Sequence, residues 1–124
     1  MNVLVVDDDA AIRALVTRVF TRRGDKVQSA VDGDAAIGCL KAYPFDLVVL
    51  DLMMPRTDGF GVLAYLETLD GNRPKIIVMT AAVPGLVDKV PSNMVSGVLG
   101  KPFDLKTLVT LAENAFAPSA VLAS

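Results

Sequence analysis

Apolar residues in this chain come in short unbroken runs, separated by longer stretches where they recur at helical spacing. The runs are Val3-Leu4-Val5-Val6, Leu47-Val48-Val49-Leu50, Ile76-Ile77-Val78-Met79 and Val98-Leu99. Runs of this kind read as strands buried on both faces of a parallel sheet. The pattern predicts strands near 2–6, 26–30, 46–50, 75–80 and 96–100. Between the first two, Ile12, Leu15, Val16, Val19 and Phe20 follow the i, i+3, i+4, i+7, i+8 stripe of an amphipathic helix. Asp9 can cap its start, and Gly24 follows its basic end, Arg22-Arg23. A second helix is expected over about 34–42, from Asp32-Gly33-Asp34 to Tyr43-Pro44. A third, over about 59–69, carries Phe60, Leu63, Leu66 and Leu69. A last helix, over about 104–116, is capped by Asp104 and presents Leu105, Leu108, Val109, Leu111, Ala112 and Phe116. Strands alternating with helices imply right-handed βαβ units in an α/β domain.

Two segments fall outside this rhythm. In 82–95, Pro84, Gly85 and Pro91 leave only 86–90 free of helix breakers. That is too short for a stable helix, so a single turn or an irregular loop is predicted. From Ala117-Pro118 onward no period survives. One domain, 1–117, is therefore expected to be followed by a tail or the start of a linker, 118–124.

Composition narrows the class. A chain of 124 residues, 52% hydrophobic and 21% charged, suits one α/β domain and argues against disorder. A net charge of −2 offers no footprint for nucleic acid, and no apolar run is long enough for a membrane span. The single cysteine, Cys39, permits no internal disulfide and reads as a small core residue of a reducing compartment. No basic region or cleavage pattern precedes the first strand, so a cytoplasmic setting is expected. The chain has no histidine, which excludes histidine-based catalysis and histidine metal ligands.

The chemistry gathers where the strands end. The first run leads into Asp7-Asp8-Asp9, the third strand into Asp51, the fourth into Thr80 and the fifth into Lys101-Pro102. In an open parallel sheet, ligands bind at the carboxyl ends of the strands where strand order reverses. If the first and third strands are neighbours about 4.8 Å apart, Asp7, Asp8 and Asp51 crowd one another. Like charges at ~4 Å repel by about 4 kcal/mol at an effective dielectric near 20, so they must protonate or hold a cation. Hard oxygens favour Mg²⁺, which takes one or two carboxylates together with waters and phosphate oxygens. Beside such an ion Asp51 could act as a nucleophile towards phosphorus, forming an acyl phosphate. Thr80 can bond a phosphoryl oxygen and Lys101 can pair with one. Ala81 and Gly100 are small and leave room for a ligand, so Ala81 joins Thr80 and Lys101 as a phosphate-binding position. Asp9 alone reads as a helix cap.

These residues resemble a known family. Val5-Val6-Asp7-Asp8, Leu50-Asp51-Leu52-Met53-Met54-Pro55 with Asp58-Gly59, Thr80-Ala81 and Lys101-Pro102-Phe103 are similar, in order and spacing, to the receiver domain of two-component response regulators. The likeness covers about residues 2–116. It implies a doubly wound five-stranded (βα)₅ flavodoxin-like sheet of order 2-1-3-4-5, an order that a member of this family exemplifies. It implies that Asp51 is the phosphoacceptor for a histidine kinase, a phosphotransfer protein or a small phosphodonor. Mg²⁺ would be held by Asp7, Asp8, Asp51 and the backbone carbonyl of Met53. Thr80 and Lys101 would move onto the phosphoryl oxygens, the Lys101-Pro102 peptide would be cis, and phosphorylation would bias an output surface through Thr80. Catalysis would be limited to the domain's own phosphorylation and dephosphorylation. Homodimerisation is a further expectation; direct nucleic-acid binding is not.

Two departures shape the expectation. The switch position three residues before the lysine, usually aromatic in the family, is Val98, and the connection from Thr80 to Lys101 is about one residue short. An altered output surface with intact phosphorylation chemistry follows. Met53 and Ala82 occupy the places that tune self-dephosphorylation, and neither side chain can orient water, so a slow to moderate phosphate lifetime is expected. Three alternatives compete. A haloacid-dehalogenase-like phosphatase would need a second carboxylate where Met53 stands. A flavodoxin-like cofactor binder would suffer repulsion between Asp7-Asp8-Asp9 and its phosphate. A pseudo-receiver used only for docking would not need all five chemical positions.

Overall fold

A computed structural model describes residues 1–81 and 85–116. Five parallel strands, β1 (Asn2–Val6), β2 (Lys26–Ala30), β3 (Leu47–Asp51), β4 (Lys75–Thr80) and β5 (Gly97–Gly100), form one sheet. Their order is β2-β1-β3-β4-β5, as the family resemblance implies. The helices are α1 (Ala10–Arg22), α2 (Gly33–Ala42), α3 (Gly59–Glu67) and α4 (Leu105–Phe116). None of the described helices is long and apolar enough to cross a membrane.

Side-chain alternation along the strands builds two cores. Leu4, Val6, Val48, Leu50, Ile76 and Val78 face one side, where Ala36 of α2 and Val62, Leu63 and Leu66 of α3 cover them. Val3, Val5, Leu47, Val49, Ile77, Met79 and Leu99 face the other, against Val16 and Phe20 of α1 and Leu108 and Ala112 of α4. Both faces are sealed, so the strands read as continuous apolar runs rather than alternating ones. Cys39 is half-buried and packs on the first core.

Between β4 and β5 the only regular described element is a 3₁₀ turn, Val87–Lys89. Leu86, Val90, Met94 and Val95 still pack on the first core, doing with irregular backbone what a helix would do. The described part of 82–95 thus matches the expected single turn; residues 82–84 and 117–124, and with them the expected tail 118–124, lie outside the described residues.

Several boundaries move. β3 begins at Leu47 and includes Asp51, which pairs with Met79 of β4. The third helix stops at Glu67, where Thr68 turns its N–H back to the Tyr65 carbonyl; Leu69 beyond it still packs on the core. Leu15, counted in the buried stripe of α1, is 45% exposed. Its neighbour Val16 carries the buried line with Phe20, so the stripe is narrower than five apolar residues suggest.

Candidate functional site

The strand register that builds the core also delivers the chemistry to one edge. Val6 pairs with Leu50, so the next residues, Asp7 and Asp51, leave neighbouring strands side by side. Thr80 pairs with Gly100, so Lys101 follows directly beyond it. Asp7, Asp51 and Thr80 are buried, whereas Asp8 is exposed. One carboxylate oxygen from each of Asp7, Asp8 and Asp51 can be chosen so that all lie within 4.8 Å of one another.

Lys101 is the counter-charge. Its Nζ donates to Asp7 Oδ2 at 2.8 Å and lies 3.2 Å from Asp51 Oδ2. The remaining carboxylate oxygens take backbone donors: Asp9 N–H to Asp7 Oδ1 at 2.9 Å, and Met53 N–H to Asp51 Oδ1 at 3.1 Å. Burial pushes the Asp51 carboxyl up to about 6, against the Met53 N–H that favours its anion; Asp7 raises it further and Lys101 opposes that. For Lys101, burial works against the charge, but the Asp7 hydrogen bond and the charges of Asp51 and Asp7 hold its ammonium above the ordinary range.

Other expected positions fall around this centre. Thr80 donates its hydroxyl to the Ala81 carbonyl at 2.9 Å, and Ala81 itself is exposed at the strand end. Met53 is half-exposed on the loop that follows Asp51. The Lys101-Pro102 peptide is cis. Val98 lies on the strand beside Val78 yet is 41% exposed, because no described helix covers that corner of the sheet. Ala82 lies outside the described residues. One contributor escaped the sequence reading: Arg13 on α1 donates from Nη1 to the Asp7 carbonyl at 2.8 Å, bracing the turn that presents Asp7 and Asp8. Its signal was its place six residues on, one turn into the helix capped by Asp9.

The donor set fits a divalent cation. Three carboxylates less one ammonium leave two negative charges, and every side-chain ligand is a hard oxygen of the kind that suits Mg²⁺. An ion there would favour the Asp51 anion against the burial that now holds its carboxyl high, and would offset the smaller repulsion from Asp7.

Comparison with known proteins agrees with this geometry. Residues 3–113 match the family model described as response regulator receiver domain. Sporulation initiation phosphotransferase F of Bacillus subtilis is 34% identical over 107 residues, covering 84% of each chain. The response regulator MprA of Mycolicibacterium vanbaalenii is 38% identical over 116 residues, which are 88% of this chain and 47% of that protein. The chain spans less than half the length of several other curated relatives. Among solved structures, the response regulator TrrA of Thermotoga maritima, in complex with Mg²⁺-BeF, superposes with a TM-score of 0.81 at 26% identity, covering 93% of this chain and 98% of that one. A match across nine-tenths of the sequence, on the sheet order and acidic edge found here, makes this chain a member of the response regulator receiver domain family.

Proposed function

We propose that this domain takes a phosphoryl group onto Asp51 from the phosphohistidine of a histidine kinase or phosphotransfer protein. The observation that carries the proposal is the Lys101 ammonium shared between Asp7 and Asp51 on adjacent strands, with Asp8 at hand. A carboxylate oxygen of Asp51 attacks phosphorus, the P–N bond breaks, and the electron pair leaves with the donor imidazole. The product is an acyl phosphate. Asp7, Asp8, Asp51 and the Met53 carbonyl would hold Mg²⁺, which when bound neutralises charge on the phosphoryl oxygens. The Met53 N–H keeps Asp51 oriented. Lys101, already at the carboxylates, is within a side-chain rotation of a phosphoryl oxygen, and Thr80 exchanges its bond to the Ala81 carbonyl for one to phosphate.

Phosphorylation-dependent switching is general to the family. Here the readout would run through Thr80 and the β4–β5 connection, without a ring at Val98 to follow the threonine. The domain is read as a signalling module in a cytoplasmic setting, its partners being the phosphodonor and, on the output side, a second copy or an attached effector. Treatment with acetyl phosphate and Mg²⁺ should add the mass of one phosphoryl group, lost with EDTA and in Asp51→Asn. A wild-type protein that stays unmodified with donor and Mg²⁺ in excess would refute the assignment.

A further inference from the structure

The loop between β3 and α3 is held from an unexpected direction. Near Asp51 it is fixed to the sheet by Leu52 N–H donating to the Met79 carbonyl, and closed by Gly59 N–H donating to the Leu52 carbonyl. Its far side is gripped by the head of α2. Gly33 N–H donates to the Thr57 carbonyl at 2.8 Å, and the Thr57 hydroxyl donates to Asp34 Oδ1. The fit is close: a Cβ on Gly33 would lie 2.1 Å from the Thr57 carbonyl oxygen, and one on Gly61 would lie 2.4 Å from Thr57 Cγ2. The residue before, Arg56, adopts φ +60, so the chain accepts a backbone conformation unusual for a side-chain-bearing residue at this point. Nothing in the function proposed so far uses Thr57, Asp34 or Gly33.

Between the two anchors lie residues 53–56. They include Met53, whose N–H contacts Asp51 and whose carbonyl the proposed function gives to the metal. A loop pinned at one end can swing. Pinned at both, it keeps one backbone amide on the acceptor carboxylate. We propose that Thr57, clasped by Asp34 and Gly33, is a positioning residue that sets the Met53 backbone for metal binding and phosphoryl transfer. It touches neither the metal nor the phosphoryl group and acts through the three residues between it and Met53. The inference rests on the function proposed above. It makes the first turn of α2 part of the machinery, although α2 contributes no residue to the acidic centre.

Two substitutions separate positioning from mere stability. Thr57→Val keeps the methyl group between Gly33 and Gly61 and removes only the hydroxyl; Asp34→Ala removes the carboxylate that receives it. Thr57→Ser keeps the hydroxyl. Mg²⁺ affinity is read from amide shifts in an NMR titration, the Met53 amide by hydrogen exchange in metal-free protein, and transfer by the rate with acetyl phosphate at saturating Mg²⁺. Loss of one hydrogen bond predicts a fall of about three- to tenfold in Mg²⁺ affinity and in rate for Thr57→Val and Asp34→Ala. Met53 should exchange faster in both, and Thr57→Ser should come back to within about twofold of wild type. Wild-type Mg²⁺ affinity and Met53 protection in Thr57→Val would overturn the clasp, whatever its thermal stability, while leaving the phosphoacceptor assignment standing. A wild-type protein that neither binds Mg²⁺ nor accepts phosphate would overturn both.

Discussion

Replacing Asp51 by asparagine should make the metal-free protein more stable while ending its chemistry. The carboxyl is buried beside Asp7 and its ionisation is pushed from 3.8 up to about 6. The folded state therefore holds the Asp51 proton more tightly than the unfolded chain does. Its favourable effect on stability is fully present below pH 3.8 and is lost as pH rises through about 6. Above that, the ionised group costs about 3 kcal/mol relative to a neutral one of the same shape. Asp51→Asn removes the cost. At a urea dependence of ~2 kcal/mol per molar, its unfolding midpoint at pH 7 in EDTA should exceed the wild-type midpoint by about 1.5 M. The gap should close as pH falls towards 4. Added Mg²⁺ should narrow it at pH 7 as well, because only the wild type regains a full set of ligands. Equal midpoints at pH 7 in EDTA, or a gap that does not shrink on acidification, would show that Asp51 is not a strained anion.

Three further outcomes follow from the same geometry. Lys101→Met removes a cation from the ligand oxygens, and a dication and an ammonium ~4 Å apart repel by about 2 kcal/mol even in water; Mg²⁺ should bind about thirtyfold tighter by calorimetry while phosphorylation slows, and unchanged affinity would count against the shared site. Gly59→Ala would place a Cβ 2.5 Å from the Asp51 carbonyl oxygen and 2.7 Å from Leu52 Cα, so thermal unfolding should show a loss of at least 2 kcal/mol; a near-neutral result would mean that the loop has slack. Asp9→Ala deletes the acceptor for the Ala11 and Ile12 amides and should cost about 1 kcal/mol in urea unfolding, with little change in Mg²⁺ affinity; a large loss of affinity would give Asp9 a place at the metal.

What could be read from sequence was whatever depends on local pattern. Strands buried on both faces announce themselves as Val/Leu/Ile runs, and a functional group straight after such a run has nowhere to go but the sheet edge. Asp7, Asp51, Thr80 and Lys101 were found that way. The strand order followed from the family resemblance rather than from periodicity, which does not say which strands are neighbours. Contacts that end on backbone atoms were harder to read. Arg13 reaches the Asp7 carbonyl from six residues away, marked only by its place in the helix, and Gly33 grips the Thr57 carbonyl from another element with no compositional mark at all. Leu15 was misplaced because apolar spacing shows which face a residue shares, not how wide a strip the neighbouring helix covers.

The lysine at the acidic pit has an implication for how the protein waits between signals. An enclosure of carboxylates lacking an internal partner would splay open whenever its ion departed, and would have to be rebuilt before each event. Here a tethered positive group bridges the pocket's walls with no metal between them. If the proposed function holds, an incoming ion and donor would therefore meet a scaffold that is already assembled, with no refolding needed before each turn of the cycle.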